Sequence, residues 1–473
     1  MIQFGTGGWR AVIGDGFTKA NIRLIAAAMA QKMKEENVTE NGFVVGYDRR
    51  FLSAQAAQWI SEVMAAQGIF CRVLDKEAPT PLVMFTVMHF GLAYGMAVTA
   101  SHNPAEYNGI KLFTAGGRDA VEAVTSDLER YIRAIRPEEI DVLPYETAKE
   151  RGLVKEIDSQ NIYVDSILSS VDVTAIRHRH LNVALDPMFG VSRRALETVL
   201  YTCRCNCDTI HTGHDALFGG RLPAPNEGTL FDLQKLVTEQ QLDIGIATDG
   251  DADRLGIIDE KGNYIHPNRI LTVLYYYLLK YKGWRGPAVR NMATTHTLDK
   301  IAAAFGEVCY EVPVGFKYIS AKMQETDALI GGESSGGLTV RGHIRGKDGI
   351  YAASLMLEML ALSGKSLSGV IEEMEEQFGK TAITEQNYAF PAERKAELQT
   401  LLFEDKALPA FPKAIERVSY EDGCKVYFAN DEWLIARFSG TEPLLRIFCE
   451  VNTTEEDART LADTMAQFLG LTN

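Results

Sequence analysis

VTASHNPAEYNGIKLF, residues 98–113, sets a serine, a histidine, two asparagines and a lysine in a turn-rich loop behind an apolar run that ends at Val98. A buried strand that opens into a polar, glycine-bearing loop is where open α/β sheets gather ligand groups. Ser101 beside His102 does not resemble a hydrolase pair, because the base for a serine nucleophile normally comes from elsewhere in the chain with an acid to orient it. Asn-Pro and Asn-Gly also punctuate an ordinary turn. Taken alone, this loop supports either reading, and the rest of the chain has to decide.

The same rhythm extends outward in both directions. Residues 18–36 place Ile22, Ile25, Ala26, Met29 and Met33 on one helical face, and FVVGYD follows as a short buried strand. LSAQAAQWISEVMAAQG reads as a helix with Ser53 as N-cap and Gly68 as its stop, before the strand-like IFCRVLD. The pattern restarts at LNVALDPMFG and LDIGIATDGDADR, and a hairpin-like LGIIDEKGNYI leads to Pro267 and the apolar helix RILTVLYYYLLKY. A third unit contains DALIGGESSGG and ends in the helix SLSGVIEEMEEQFG at Gly379. After that, KVYFA, WLIARFS and LLRIFCEV run as successive strands, followed by a helix with Thr453 and Glu456 as a capping box and Gly470 at its end. Alternation of strands and helices gives α/β units; the last stretch is α+β. The divisions fall at 1–157, 158–262, 263–378 and 379–473.

Three further loops offer chemistry. In ATDGDADRLGIIDE, Asp249, Asp251 and Asp253 repel one another unless a hard divalent cation offsets them. An EF-hand would need glycine where Arg254 stands, and the flanks are strand-like, so Mg²⁺ is favoured over calcium or a solvated acidic turn. GGESSGGLTVRGHIRGKDG offers Glu333 and Ser335 to sugar hydroxyls, or is a plain β-turn with a charged rim. RFSGTEPLLRIF gathers Arg437, Ser439, the Gly440 amide, Thr441 and Arg446, a donor set suited to a doubly charged phosphate. A hydroxyl nucleophile, a divalent-metal site, hydroxyl recognition and a remote phosphate clamp together suit phosphoryl transfer on a phosphorylated sugar.

Composition narrows the class. A chain of 473 residues exceeds one hydrophobic core, and 46% hydrophobic with 23% charged residues is that of a globular protein. A net charge of -15 argues against nucleic acid as a partner. No apolar run reaches a membrane span and the N-terminus MIQFGTGGWR lacks a leader pattern, so the expectation is a cytoplasmic protein with no membrane partner. Seven cysteines do not suggest a disulfide framework. Cys203, Cys205 and Cys207 alternate as strand side chains would and lack the usual zinc spacing; His211 and His214 read as surface loop residues.

Across nearly its whole length the chain resembles the α-D-phosphohexomutase superfamily, in particular its bacterial phosphoglucomutase/phosphomannomutase branch. The resemblance rests on an ordered set: FGTGGWRA, GYDRR at 46–50, TASHNP, DGDADR, GFKYI at 315–319, GGESSGG, KDG and RFSGTEP. It implies a four-domain, heart-shaped architecture, three related α/β domains with mixed sheets plus a C-terminal α+β domain, with one loop from each meeting in a central cleft. It further implies a phosphorylated Ser101, with Mg²⁺ held by Asp249, Asp251, Asp253 and an oxygen of that phosphate. The implied reaction interconverts hexose 1-phosphate and 6-phosphate through a 1,6-bisphosphate, with glucose 1,6-bisphosphate as activator. Catalytic roles would fall to Ser101, His102, Lys111, Arg10, Arg254 and Lys347. Glu333, Ser335, Lys317, Arg437, Ser439, Gly440, Thr441 and Arg446 would bind substrate.

Two positions depart from relatives. Some carry a histidine where this chain has Gly337, and Lys347 is then the candidate proton-transfer group; Gly7 stands where relatives often have Ser or Asp. The KDG feature leans toward glucose phosphates, with mannose possible. Glucosamine phosphate mutation and bisphosphate synthesis are the alternatives, and relatives include monomers and homodimers.

Overall fold

Strands whose residues are apolar on both faces need cover on both sides, and that requirement organises the first three sheets. A computed structural model describes residues 2–5, 7–439 and 444–471. In the first sheet the strands run in the order Trp9–Val12, Tyr107–Thr114, Tyr94–Val98, Phe43–Tyr47, Cys71–Leu74, Val154–Ile157, with Arg118–Asp119 added beside Tyr107–Thr114. The second is ordered Tyr264–Ile265, Leu255–Ile258, Ile244–Thr248, Asn182–Asp186, Asn206–Thr209. The third is Cys309–Val312, Ala288–Asn291, Ile330–Gly332, Leu338–Val340. The fourth, from Ala382–Ala389 to Ile415–Ser419, is antiparallel throughout and packs against helix Glu455–Phe468. These are the three mixed α/β sheets and the α+β unit that the sequence suggests.

One topological device recurs in the first three sheets. A strand that is parallel to one neighbour, Tyr94–Val98, Ile244–Thr248 or Ile330–Gly332, turns through a polar loop into an antiparallel neighbour. The loops so formed are 99–106, 249–254 and 333–337. Each reversal sets its loop at the carboxyl end of a strand that is parallel to its other neighbour, so three different sheets present the same kind of edge to a common space.

Packing then fixes the units against one another. A continuous apolar cluster takes in Val83 and Phe85 of helix Thr80–His89, Leu185 and Ile246 of the second sheet, and Tyr276 and Leu357 of the third unit's helices. Residues 80–87 of helix Thr80–His89 are buried all round, which suits their largely apolar composition. No single helix among the described residues is long and apolar enough to cross a membrane. The fourth sheet docks through Tyr427, Trp433 and Phe448 onto Met292 and Ala293.

Three local expectations need correction. Ser53 begins helix Ser53–Ala66 but does not cap it; Leu52 holds the cap position in a left-handed conformation, and Ser53 Oγ instead donates to Asp48 Oδ1 at 2.7 Å. The C-terminal helix is capped by Thr454 rather than Thr453, its side chain accepting from the Asp457 amide. Of the three clustered cysteines only Cys207 lies in strand Asn206–Thr209; Cys203 is the C-cap of helix Arg193–Thr202, so the strand begins only after Cys205. His211 is half-buried and tied to Asp186 at 2.9 Å, while His214 is exposed.

Candidate active site

The loop after Val98 is held from beneath by one arginine. Arg50, 3% exposed, donates to the carbonyls of Ser101 (2.8 Å), Asn103 (2.6 Å), Pro104 (2.7 Å) and Tyr107 (2.9 Å). Asp48 fixes Arg50 in turn, accepting from its amide at 2.9 Å and facing its Nε at 3.4 Å. The clamp holds Ser101 at φ +53°, a left-handed conformation that non-glycine residues adopt at a cost. Strain at this one residue aims its hydroxyl across the boundary between the first and second units, where Ser101 Oγ donates to Asp249 Oδ2 at 2.8 Å. The backbones come close enough that a Cβ on Gly250 would stand 2.9 Å from the Ser101 carbonyl oxygen.

Asp249, Asp251 and Asp253 converge with one oxygen from each inside a 4.8 Å span, and all three are buried. Their repulsion is met by cations from two other units. Lys111 Nζ bridges Asp251 Oδ2 and Asp253 Oδ2, each at 2.6 Å, and Lys347 Nζ lies 3.1 Å from Asp253 Oδ2. Thr80 Oγ1 adds a hydrogen bond to Asp251 Oδ2 at 2.6 Å. Burial works against the charged form of Asp253, yet Lys111, Lys347 and Arg254 hold its carboxyl far below the usual range. For Asp249 burial beside Asp251 and Asp253 outweighs the opposing pull of Arg254 and Lys111 and drives its carboxyl well up. Asp251 Oδ1 and Asp253 Oδ1 are buried with no hydrogen-bond partner among the described residues. Three carboxylates around a small space, two of them with orphaned oxygens, are the hard oxygen donor set that a Mg²⁺-sized cation takes.

A cleft of 1860 Å³ opens beside this cluster, lined by Arg10, His102, Lys111, Arg254, Lys317, Glu333, Ser335, Lys347, Arg437, Ser439 and Arg446. Ser101 and the three aspartates lie behind that lining, none more than 1% exposed. Burial and the nearby Arg254 and Arg10 keep His102 neutral, its pKa well below that of free imidazole, with Nδ1 3.4 Å from Ser101 Oγ. Arg10 donates to Asn103 Oδ1. A Cβ on Gly7 would lie 3.1 Å from Arg10 Nη2, so glycine there leaves the guanidinium its room.

On the third loop, Glu333 Oε1 accepts from Asn291 Nδ2 at 3.2 Å and Ser335 Oγ donates to Glu333 Oε2 at 3.4 Å. Gly337, one of the departures noted in the sequence, is physically linked here to Lys347. A Cβ on Gly337 would fall 2.1 Å from Lys347 Cδ, so a side chain at 337 and the present course of Lys347 exclude one another. Lys317 stands apart from the aspartates and pairs with Glu122 at 3.4 Å.

The fourth unit contributes Arg437 and Arg446 from neighbouring strands, where they are direct cross-strand partners. Like charges placed opposite are unfavourable in a sheet. Asp422, 2.9 Å from Arg437 Nε, offsets part of that, and an anion seated between the arginines would offset the rest. Ser439 is buried next to them, while Gly440 and Thr441 lie outside the described residues.

Sequence reading passes over Arg50, Thr80 and Asn103. GYDRR and TASHNP, both in the ordered motif set, give a signal for Arg50 and Asn103; Thr80 gives none, because its partner is 171 residues away.

Comparison with known proteins places each unit. Residues 1–139, 161–262 and 266–378 match the phosphoglucomutase/phosphomannomutase alpha/beta/alpha domains I, II and III, and 387–468 match the C-terminal domain of the same family. A Thermococcus kodakarensis protein named phosphoglucomutase/phosphomannomutase is 31% identical over 459 residues, covering 96% of each chain. A Pyrococcus abyssi protein named for phosphoglucosamine mutase is 29% identical over 461 residues, 96% of this chain and 94% of the other. A Thermus thermophilus crystal structure named for phosphomannomutase superposes with a TM-score of 0.86 at 29% identity, covering 99% of both chains.

Proposed function

Because the chain belongs to the phosphoglucomutase/phosphomannomutase family, we propose that it interconverts hexose 1-phosphates and 6-phosphates, with glucose preferred and mannose accepted, through a phosphorylated Ser101. The observation that carries the reading is the Ser101 hydroxyl at 2.8 Å from Asp249 in a buried three-carboxylate cluster, with paired arginines lining the same cleft.

In this reading the Oγ–P bond of phospho-Ser101 breaks as a P–O bond forms to the free hydroxyl of the bound sugar phosphate. The bisphosphate so formed turns over and returns its other phosphoryl group to Ser101. Positioning and charge neutralisation do most of the work in such a loose transition state. Mg²⁺ held by Asp249, Asp251 and Asp253 would neutralise phosphoryl charge when bound. Lys111 holds Asp251 and Asp253 in place, Arg10 and Arg254 face the transferring group, and Lys347 holds the proton that moves on and off the sugar oxygen. Glu333 and Ser335 grip the 3- and 4-hydroxyls, which nearly exchange places when the ring turns over. Arg437, Ser439, Arg446, Gly440 and Thr441 take the phosphate that is not reacting, and Lys317 closes the side of the cleft between them. The four units divide near residues 157, 262 and 378. Glucosamine phosphate is the second substrate reading, favoured by the several relatives of 28–29% identity named for that activity.

The test is a coupled assay with Mg²⁺ and a trace of glucose 1,6-bisphosphate, running glucose, mannose and glucosamine 1-phosphates in parallel. Ser101→Ala is expected to lose several orders of magnitude in turnover. Undiminished turnover in that variant would move the nucleophile to an aspartate, and accumulation of bisphosphate without monophosphate product would make the protein a synthase.

A further inference from the structure

One acidic side chain in the cleft has no task in this scheme. Asp119 sits on the two-residue strand Arg118–Asp119, paired opposite Phe113 of strand Tyr107–Thr114. Cross-strand partners share a face, and so do residues two apart on one strand. Asp119 therefore stands on the same face as Lys111, one step along from the lysine that bridges Asp251 and Asp253. Its strand is pinned at the boundary of the first and third units, where Arg118 Nη1 donates to Gln324 at 2.8 Å. Asp119 lines the cleft, yet its Oδ2 is buried without a hydrogen-bond partner among the described residues. Lys347, Lys111, Asp253 and Glu333 are its charged neighbours, and burial raises its carboxyl to about 6 against the pull of the two lysines. An acceptor left unsatisfied beside a substrate cleft is expensive unless a ligand supplies the donor.

We propose that Asp119 is a substrate-contacting residue that accepts a hydrogen bond from the 2-hydroxyl of the sugar when the hexose is bound as its 6-phosphate. The proposal rests on the mutase reading, which fixes the orientation. With the 6-phosphate in the arginine clamp, the 1-hydroxyl lies at the transfer position and the 2-hydroxyl is the next substituent along the ring. Glu333 and Ser335 are engaged with positions 3 and 4, so position 2 is the hydroxyl left for a group beside Lys111. Bound as the 1-phosphate, the sugar brings its 6-hydroxyl there instead and carries position 2 away. Asp119 thus gives the site a means of telling glucose from its 2-epimer in the complex with the 6-phosphate.

The experiment compares wild type, Asp119→Ala and Asp119→Asn on glucose 6-phosphate and 2-deoxyglucose 6-phosphate, and on glucose 1-phosphate and 2-deoxyglucose 1-phosphate. The sugars are titrated calorimetrically in a Ser101→Ala background, where turnover does not intervene. With Asp119 present the site should bind glucose 6-phosphate about 10- to 100-fold more tightly than its 2-deoxy analogue, the effect of one hydrogen bond to a charged acceptor. Asp119→Ala should lose that preference by weakening on glucose 6-phosphate alone, and Asp119→Asn, which still offers a carbonyl acceptor, should keep part of it. The 1-phosphate pair should show no such coupling. Equal weakening of both 6-phosphates in Asp119→Ala, or an undiminished preference, would overturn the assignment and leave Asp119 as a counter-charge for its lysines. If the protein with Ser101 intact turns over none of these sugars the mutase reading itself fails, and the same titrations still read the contact.

Discussion

Replacing Gly337 with alanine should disable the site without unfolding the protein. The new Cβ would stand 2.1 Å from Lys347 Cδ and 2.8 Å from its Cγ, against an ordinary carbon contact of about 3.5–4 Å. A shift of more than an ångström near the middle of the side chain cannot be absorbed by small relaxation, so Lys347 must take another rotamer and its Nζ must leave Asp253, now 3.1 Å away. Off-rotamer strain costs about 0.5–1.5 kcal/mol. Asp253 keeps Lys111 at 2.6 Å, so no buried carboxylate is stranded and the melting temperature should fall by only a few degrees. Loss of a positioned proton-transfer group costs about 10²–10⁴-fold. A displaced one should fall at the lower end, roughly 100-fold in kcat or about 2.7 kcal/mol. Steady-state kinetics on glucose 1-phosphate, with thermal melts, measures both. The diagnostic comparison is the double variant: Gly337→Ala with Lys347→Ala should be no slower than Lys347→Ala alone, since both changes remove the same group. Wild-type kcat in Gly337→Ala, or a double variant whose losses multiply, would refute the steric coupling.

Arg50→Lys keeps the charge but cannot span four carbonyls, so it should destabilise the protein by about 2–3 kcal/mol and lower kcat through the loosened Ser101 loop, read by denaturant melts and kinetics. Arg446→Gln removes one of two opposed arginines; KM for the sugar phosphate should rise about 10- to 100-fold while the ligand-free melting temperature holds or rises, and a large fall in that temperature would show that the pair is structural. His296, buried against Lys425 and Glu311, is depressed to about 4 by burial, with Arg290 and Lys425 adding to the effect. An unfolded imidazole titrates near 6.5, so the unfolded chain takes up the proton first and stability is lost as pH falls from about 6.5 toward 4, by at most about 3 kcal/mol. The stability gap between wild type and His296→Gln should therefore shrink over that window, and a gap independent of pH would exclude the linkage.

The sequence by itself displayed the chemistry that is local. Asp249, Asp251 and Asp253 announce a cation because alternate carboxylates within five residues repel wherever the chain runs, and Ser101 announces itself by following a buried strand into a polar loop. Strand and helix rhythm was legible for the same reason, since burial imposes its period residue by residue. Cap residues were less so: Ser53 has the right side chain for a cap, but Asp48 competes for it across the turn.

What the sequence could not show is which of these local features meet. Lys111 reaches Asp251 and Asp253 from 140 and 142 residues away, Thr80 reaches Asp251 from 171, and no periodicity encodes such distances. Gly337 reads as a turn glycine until Lys347 is seen passing through the space a side chain would fill. Asp119 reads as one more charge after Gly-Gly-Arg until strand pairing sets it on the face of Lys111 with an oxygen left unsatisfied. Periodicity and residue chemistry act along the chain, whereas desolvation, ion pairing and steric exclusion act through space, and only the folded structure brings those distant groups within their range.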